Sequence, residues 1–130
     1  ADGMRVGYHN HSHEFKSENG VTHWETFFGN AGPDVVMQVD TGNCMGGGGD
    51  PVSLLKKFPG RAATVHCKEH YPAGKQGFLG EGEVNWKEFF SLCRTIGGTE
   101  WFIVEQETYP VSPLETVEKC LAGIKKLLAG

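Results

Sequence analysis

Three histidines and a carboxylate stand within six residues in Tyr8-His9-Asn10-His11-Ser12-His13-Glu14-Phe15. Imidazole nitrogen and carboxylate oxygen are the donors that a borderline divalent cation such as Zn²⁺ or Mn²⁺ accepts, so the chemistry on offer is metal binding. The stretch follows a short apolar run over residues 4–8, and three later segments repeat the pattern. Residues 35–39 run into Asp40, residues 62–65 into His66, and residues 101–104 into Glu105. Each β-branched or aromatic run delivers one ligand type at its C-terminal end, which reads as one site assembled by four strands. Taken singly, each residue has an ordinary structural reading: an acid after a strand usually caps a helix, and a lone histidine is usually a hydrogen-bonded structural group. Four unrelated caps need not all be metal-ligand types at equivalent strand ends, and the joint pattern favours the metal.

The elements that must position these residues are legible in order. Thr22-His23-Trp24-Glu25 has the capping-box spacing and opens a short helix with Trp24, Phe27 and Phe28 on one side. Pro51 at the first helical position starts a second helix over residues 51–58. Asn85 caps a third over 86–96 that buries Trp86, Phe89, Phe90 and Cys93. Ser112-Pro113-Leu114-Glu115 opens the last, which runs to about Leu128 with Leu114, Val117, Leu121, Ile124 and Leu128 as its apolar stripe. The order is β-α repeated four times without hairpin pairs, which implies parallel strands, right-handed crossovers and function at the strand C-terminal ends. Gly46-Gly47-Gly48-Gly49 resembles a phosphate cradle, but Asp50-Pro51 follows where that pattern requires Lys and Ser or Thr, so it reads as a flexible loop. The long Gly-rich connection over 71–84, with Lys75, Phe78 and Glu81, reads as a lid or cover.

Bulk properties narrow the classes. A length of 130 residues suits one domain spanning 1–130, and 38% hydrophobic with 22% charged residues describes an ordinary soluble globular chain. A net charge of −4 with no basic cluster argues against nucleic acid as a partner. No apolar run is long enough for a membrane span, and Ala1-Asp2-Gly3 lacks the layout of a signal peptide, so the expected location is the cytoplasm. Cys44, Cys67, Cys93 and Cys120 are widely spaced without a C-x-x-C pair, which is poor for a zinc knuckle and fits reduced thiols. Cys67 follows His66 directly, but strand alternation turns it to the opposite face, where it reads as packing and not as a nucleophile.

At Gly7-Tyr8-His9-Asn10-His11 with Glu14-Phe15, Val39-Asp40-Thr41-Gly42, Val65-His66-Cys67-Lys68, Leu79-Gly80-Glu81-Gly82 with Asn85-Trp86, and Val104-Glu105-Gln106, the sequence resembles the xylose isomerase-like superfamily of TIM barrels. That group of sugar phosphate isomerases and epimerases also includes inosose dehydratase and endonuclease four. The resemblance covers nearly the whole chain and implies one divalent metal, Mn, Zn, Co or Mg, held at the strand ends. Carried over by position, Asp40, His66 and Glu105 match the later three ligands. The first falls to Glu14, with His9 or His11 as its substitute. Asn43 stands where many epimerases have histidine. The implied chemistry is stabilisation of an enediolate next to a chelated sugar carbonyl, with Glu14 and Glu105 moving protons and His11 and Lys68 orienting substrate. Isomerisation or epimerisation of a sugar or sugar phosphate is the leading expectation. Dehydration of an inosose or 3-keto sugar is the alternative, and a non-catalytic fragment or a sugar- or metal-binding module is the third. Endonuclease activity is weakest, for want of a basic face.

A complete barrel of this kind has eight strands and about 250 residues. Four βα units match only its C-terminal half, and such a half barrel leaves two strand edges and the inner sheet face bare. The expected solution is a homodimer or a complementary N-terminal half.

Overall fold

The structure is a computed structural model and describes residues 3–73 and 75–129. Strand β1 (Gly7–His9) leads through a 3-10 turn (His13–Phe15) into a hairpin of β2 (Ser17–Glu18) and β3 (Val21–Thr22), then helix α1 (His23–Asn30). Strand β4 (Val36–Asp40) passes directly into α2 (Thr41–Gly46), and α3 (Pro51–Lys57) follows. Strand β5 (Thr64–Cys67), helix α4 (Trp86–Leu92) with a π-helical extension (Cys93–Gly97), β6 (Trp101–Val104) and α5 (Pro113–Ala129) complete the chain. One sheet holds β1-β4-β5-β6 in that order, and every pairing in it is parallel. The expected alternation of strands and helices is therefore present.

Alternation of side chains gives the sheet two unlike faces. Met37, Val39, Val65 and Cys67 point to the helices and are fully buried with Trp24, Phe28, Leu55 and Phe89. The opposite face stays open: Trp101 and Ile103 are 65% and 39% exposed. Helices outside and a bare concave face inside are what half of a parallel barrel presents. Across that concave face the guanidinium of Arg5 donates to both carboxylate oxygens of Glu100, at 3.0 and 2.9 Å. The two residues precede the two edge strands, so the pair reports how strongly the sheet curls.

Several elements differ from the sequence reading, each for a local reason. The hairpin β2–β3 was not expected, because strands of two residues are too short to show period-2 patterning. Its turn is nevertheless built on Asn19 and Gly20, whose φ values of +54° and +83° are those a two-residue hairpin needs. The glycine tract is not a loose loop. A Cβ on Gly47 would stand 2.2 Å from the Ser12 carbonyl oxygen, and one on Gly49 would stand 2.6 Å from the Phe15 ring, so glycine permits close packing against residues 12–15. Phe27 is half exposed, although its ring lies 5.2 Å from that of Tyr8. On α5 the buried positions are Thr116, Cys120 and Ile124, while Leu114, Val117 and Leu121 are 71%, 50% and 46% exposed. The expected stripe is thus split, because α5 packs against the described residues along one side only. The four cysteines are free and buried, and burial pushes the thiols of Cys44 and Cys67 upward, away from nucleophile range.

The connection over 71–84 is anchored instead of hanging free as a lid. The buried Glu69 carboxylate accepts from the backbone N–H of His70, Gly80 and Val84 at 3.0, 2.7 and 3.1 Å and from the Trp86 indole N–H at 2.7 Å. Leu79 is buried, and its carbonyl approaches α5 so closely that a Cβ on Gly123 would lie 2.2 Å from it. Glu69→Ala strands these donors and should cost on the order of 3 kcal/mol. Urea unfolding and limited proteolysis should report lower stability together with new cleavage between residues 71 and 84. A variant as stable and as resistant as the parent would contradict this role.

Candidate metal centre

Register decides which side chains meet. In the parallel ladder His9 pairs with Gln38, Asp40 with His66, and His66 with Ile103. Counting in twos, His9, Asp40, His66 and Glu105 all fall on the concave face at its C-terminal rim. One ligand atom from each lies within 4.8 Å of the others. The His9 and His66 rings are 4.3 Å apart, His9 Nε2 is 3.7 Å from Asp40 Oδ2, and His66 Nδ1 meets Glu105 Oε2 directly. Asp40, His66 and Glu105 are the residues the strand-end pattern selected, and the structure brings them together.

Glu14, the favoured first ligand, does not join them; His9 does. Tyr8 and His9 face opposite sides of β1, and the 3-10 turn folds Glu14 back onto the Tyr8 side. There the Tyr8 hydroxyl donates to Glu14 Oε1 at 2.8 Å and the His11 backbone N–H to Oε2 at 3.0 Å. His11 also stays outside the four, edge-on to His9 with centroids 5.6 Å apart. The distinguishing signal was present in the sequence: His9, like Asp40 and His66, follows its apolar run immediately, whereas Glu14 comes five residues later.

The scaffold depends on residues that sequence reasoning passed over. Asn10 is fully buried. Its Oδ1 accepts from the Asp40 N–H at 2.8 Å and its Nδ2 donates to the Asp40 carbonyl at 3.1 Å, extending the β1–β4 ladder by a side chain. Thr41 Oγ1 donates to the Lys68 carbonyl at 2.6 Å and accepts from the Lys68 N–H at 3.1 Å, which fixes the β5 exit. Asp40 Oδ1 accepts from the Asn43 N–H at 2.7 Å, capping α2. The structural and functional readings of Asp40 are thus compatible: one carboxylate oxygen caps the helix and the other faces the cluster.

Charge is arranged around that second oxygen. Asp40 Oδ2 and His9 Nδ1 are buried without a hydrogen-bond partner among the described residues. Burial raises the Asp40 carboxyl to about 6, against the pull of the Asn43 N–H and the Lys68 ammonium. Burial lowers His9, and the neighbouring His66 lowers it further, which favours the neutral imidazole that ligates metals. Burial also acts to raise Glu105, but the contacts to His66 and Lys68 outweigh it and hold the carboxyl below its ordinary value. Lys68 Nζ donates to Asn43 Oδ1 at 3.0 Å and Glu105 Oε1 at 3.4 Å and touches Glu107, so a cation already sits at the mouth.

The residues fit a divalent ion. Two imidazoles and two carboxylates suit Zn²⁺, Mn²⁺ or Co²⁺, and an unpartnered buried carboxylate oxygen is stabilised by a cation. The His9–Asp40 spacing is close to the roughly 3.3 Å that two ligands of one tetrahedral ion keep. In the metal-free chain the raised Asp40 value means that the folded state holds its proton more tightly than the unfolded state. The stability this contributes is full below about pH 3.8 and is lost as pH rises through about 6. Asp40→Asn keeps the cap oxygen and removes the charge, so without metal it should be more stable than the parent at pH 8, by up to about 3 kcal/mol. It should also lose less stability between pH 4 and 7 in urea titrations; the same slope in both proteins would contradict a buried, unpaired carboxylate.

A family model described as xylose isomerase-like TIM barrel matches residues 1–127. No curated protein matches the chain. Among solved structures it is similar to a sugar phosphate isomerase/epimerase from Parabacteroides distasonis, with 28% identity and a TM-score of 0.79 over 98% of this chain and 46% of that one. A second sugar phosphate isomerase/epimerase from the same organism has 24% identity and a TM-score of 0.75, over 92% and 45% of the two chains. A xylose isomerase domain protein from Planctomyces limnophilus has 20% identity and a TM-score of 0.67, over 96% and 45%. The latter two likenesses concern the fold alone. The chain spans a little under half the length of these proteins, in keeping with a four-stranded partial barrel. With a match over nearly its whole length, it belongs to the xylose isomerase-like TIM-barrel family.

Proposed function

We propose that this chain carries the metal-binding half of a sugar or sugar phosphate isomerase or epimerase. The observation that carries the reading is the convergence of His9, Asp40, His66 and Glu105 within 4.8 Å at the C-terminal mouth of a parallel sheet. A divalent cation held by these four would supply the positive charge that makes the carbon-bound proton beside a sugar carbonyl acidic. Glu105, held ionised by His66 and Lys68, is the residue positioned to accept that proton. Lys68 and Asn43 orient a substrate oxygen at the mouth, and the ammonium offsets negative charge that develops there. Glu14, expected to share the proton transfer, is instead engaged by Tyr8 and His11. His11, expected to orient substrate with Lys68, is 66% exposed and stands edge-on to His9 outside the four. The alternative outcome, loss of water from a 3-keto sugar, begins with the same proton abstraction.

The concave face must be covered for such a site to exclude water. The exposed Trp101 lines an open hollow with Arg5, His9, Val36, Gln38 and Thr64, of about 430 Å³. We expect a second copy of the chain, or a complementary half, to supply the missing strands. Size-exclusion with light scattering should give a dimer at micromolar concentration for the isolated chain, and a stable monomer would argue against self-completion.

The direct test is metal content after purification without chelator, followed by thermal shifts with Mn²⁺, Zn²⁺, Co²⁺ and Mg²⁺. Asn10→Ala, which loosens Asp40, should weaken binding by about 10- to 100-fold, and His66→Ala should weaken it more. On the completed barrel, Glu105→Gln should abolish exchange of the substrate's carbon-bound proton, read by deuterium incorporation. Product analysis on a panel of ketoses and 3-keto sugars separates rearrangement from dehydration. No bound ion and no shift with any metal would overturn the reading.

A further inference from the structure

The structure splits the His-rich stretch in two. His9 goes to the four-ligand cluster, and His11, His13 and Glu14 form a separate group, again with one ligand atom each within 4.8 Å of the others. We propose that these three residues form a second metal site, which takes Zn²⁺ or another borderline transition ion.

The distances approach those of ligands sharing an ion. His13 Nε2 and His11 Nδ1 lie 3.4 and 3.9 Å from Glu14 Oε1. Metal–ligand bonds of about 2.0–2.1 Å at tetrahedral angles place neighbouring ligands about 3.3 Å apart. Both imidazoles are presented, and among the described residues neither ring makes a hydrogen bond outside this group. Their rings are nearly parallel, 11° apart with centroids at 5.9 Å, and each side chain is 66% exposed, whereas the Glu14 side chain beneath them is only 7% exposed.

Glu14 is pre-set for the role. The Tyr8 hydroxyl on Oε1 and the His11 N–H on Oε2 orient the carboxylate, and Oε1 keeps a lone pair toward the two rings. Burial acts to raise this carboxyl, but the Tyr8 hydroxyl and the backbone N–H groups outweigh it, so it stays ionised. Two imidazoles and one carboxylate select Zn²⁺, Co²⁺, Ni²⁺ or Cu²⁺ over Mg²⁺ and Ca²⁺, which want all-oxygen shells. A fourth position faces solvent beside a cleft of about 330 Å³ walled by Tyr8, His23, Trp24 and Phe27. An ion here would brace the segment that carries Asn10, and through Asn10 the backbone of Asp40.

The test is a Zn²⁺ titration of the metal-free chain by calorimetry, with the imidazole NMR signals of His11 and His13 followed in parallel. Two equivalents should bind, one of them shifting both signals, while Mg²⁺ should leave them in place. The double substitution His11→Ala with His13→Ala should remove one equivalent. Both side chains are largely exposed, and unchanged circular dichroism would exclude unfolding as the cause. Asp40→Asn should remove the other equivalent and leave the His11 and His13 shifts intact. Two unmoved signals at saturating Zn²⁺, or two equivalents surviving the double substitution, would overturn the second site. Loss of an ion from the double variant with none lost from Asp40→Asn would instead overturn the four-ligand site and leave this one standing.

Discussion

The backbone of Asp40 is gripped from both flanks, and the site depends on that grip. On one side the Asn10 amide completes the ladder where β1 has ended, accepting from the Asp40 N–H and donating to its carbonyl. On the other, Thr41 Oγ1 bridges to the Lys68 backbone at the exit of β5. With the main chain held, the carboxylate has little freedom: Oδ1 is committed to the Asn43 N–H, and Oδ2 is left facing His9 and His66 without a hydrogen bond. An unpartnered buried carboxylate oxygen is costly, and burial raises the group's pKa accordingly. A proton or a cation relieves that cost, and a cation does so at neutral pH.

The same economy of elements explains why the fold looks unfinished. One sheet face is sealed by Met37, Val39, Val65 and Cys67 against the helices, while the other exposes Trp101 and Ile103. The split stripe of α5 is the counterpart on the outer layer, with Cys120 and Ile124 packed inward and Leu114, Val117 and Leu121 turned away from the chain. In a closed barrel the inner face is filled by side chains of the opposing strands and each outer helix has a neighbour on both sides. The chain spans 45–46% of the length of two similar sugar phosphate isomerase/epimerase structures.

Much of this was legible in the residues. The capping box at Thr22 and Glu25, Pro51 behind Asp50, and the Asn85 cap place α1, α3 and α4 within a residue or two of their starts. The run-then-ligand pattern selected Asp40, His66 and Glu105. What escaped the reading was carried by contacts remote in sequence. Glu69 looks like an ordinary charged loop residue until Gly80, Val84 and Trp86 turn their donors toward it. Gly47 and Gly49 look flexible until Ser12 and Phe15 are found against them.

By itself the sequence determined the strand-helix order, the parallel sense of the sheet and the kinds of ligand at its rim. All of these follow from local patterning: apolar runs, caps, and the position at which each run stops. Position after the apolar run hinted at His9, but only the tertiary structure showed that His9 and not Glu14 stands in the four-residue cluster, since both are ligands by type and lie five residues apart. The choice rests on which face of β1 each side chain reaches. Alternation sends His9 inward with Asp40 and His66, and the 3-10 turn returns Glu14 to the Tyr8 side, where a hydroxyl and a backbone N–H claim it.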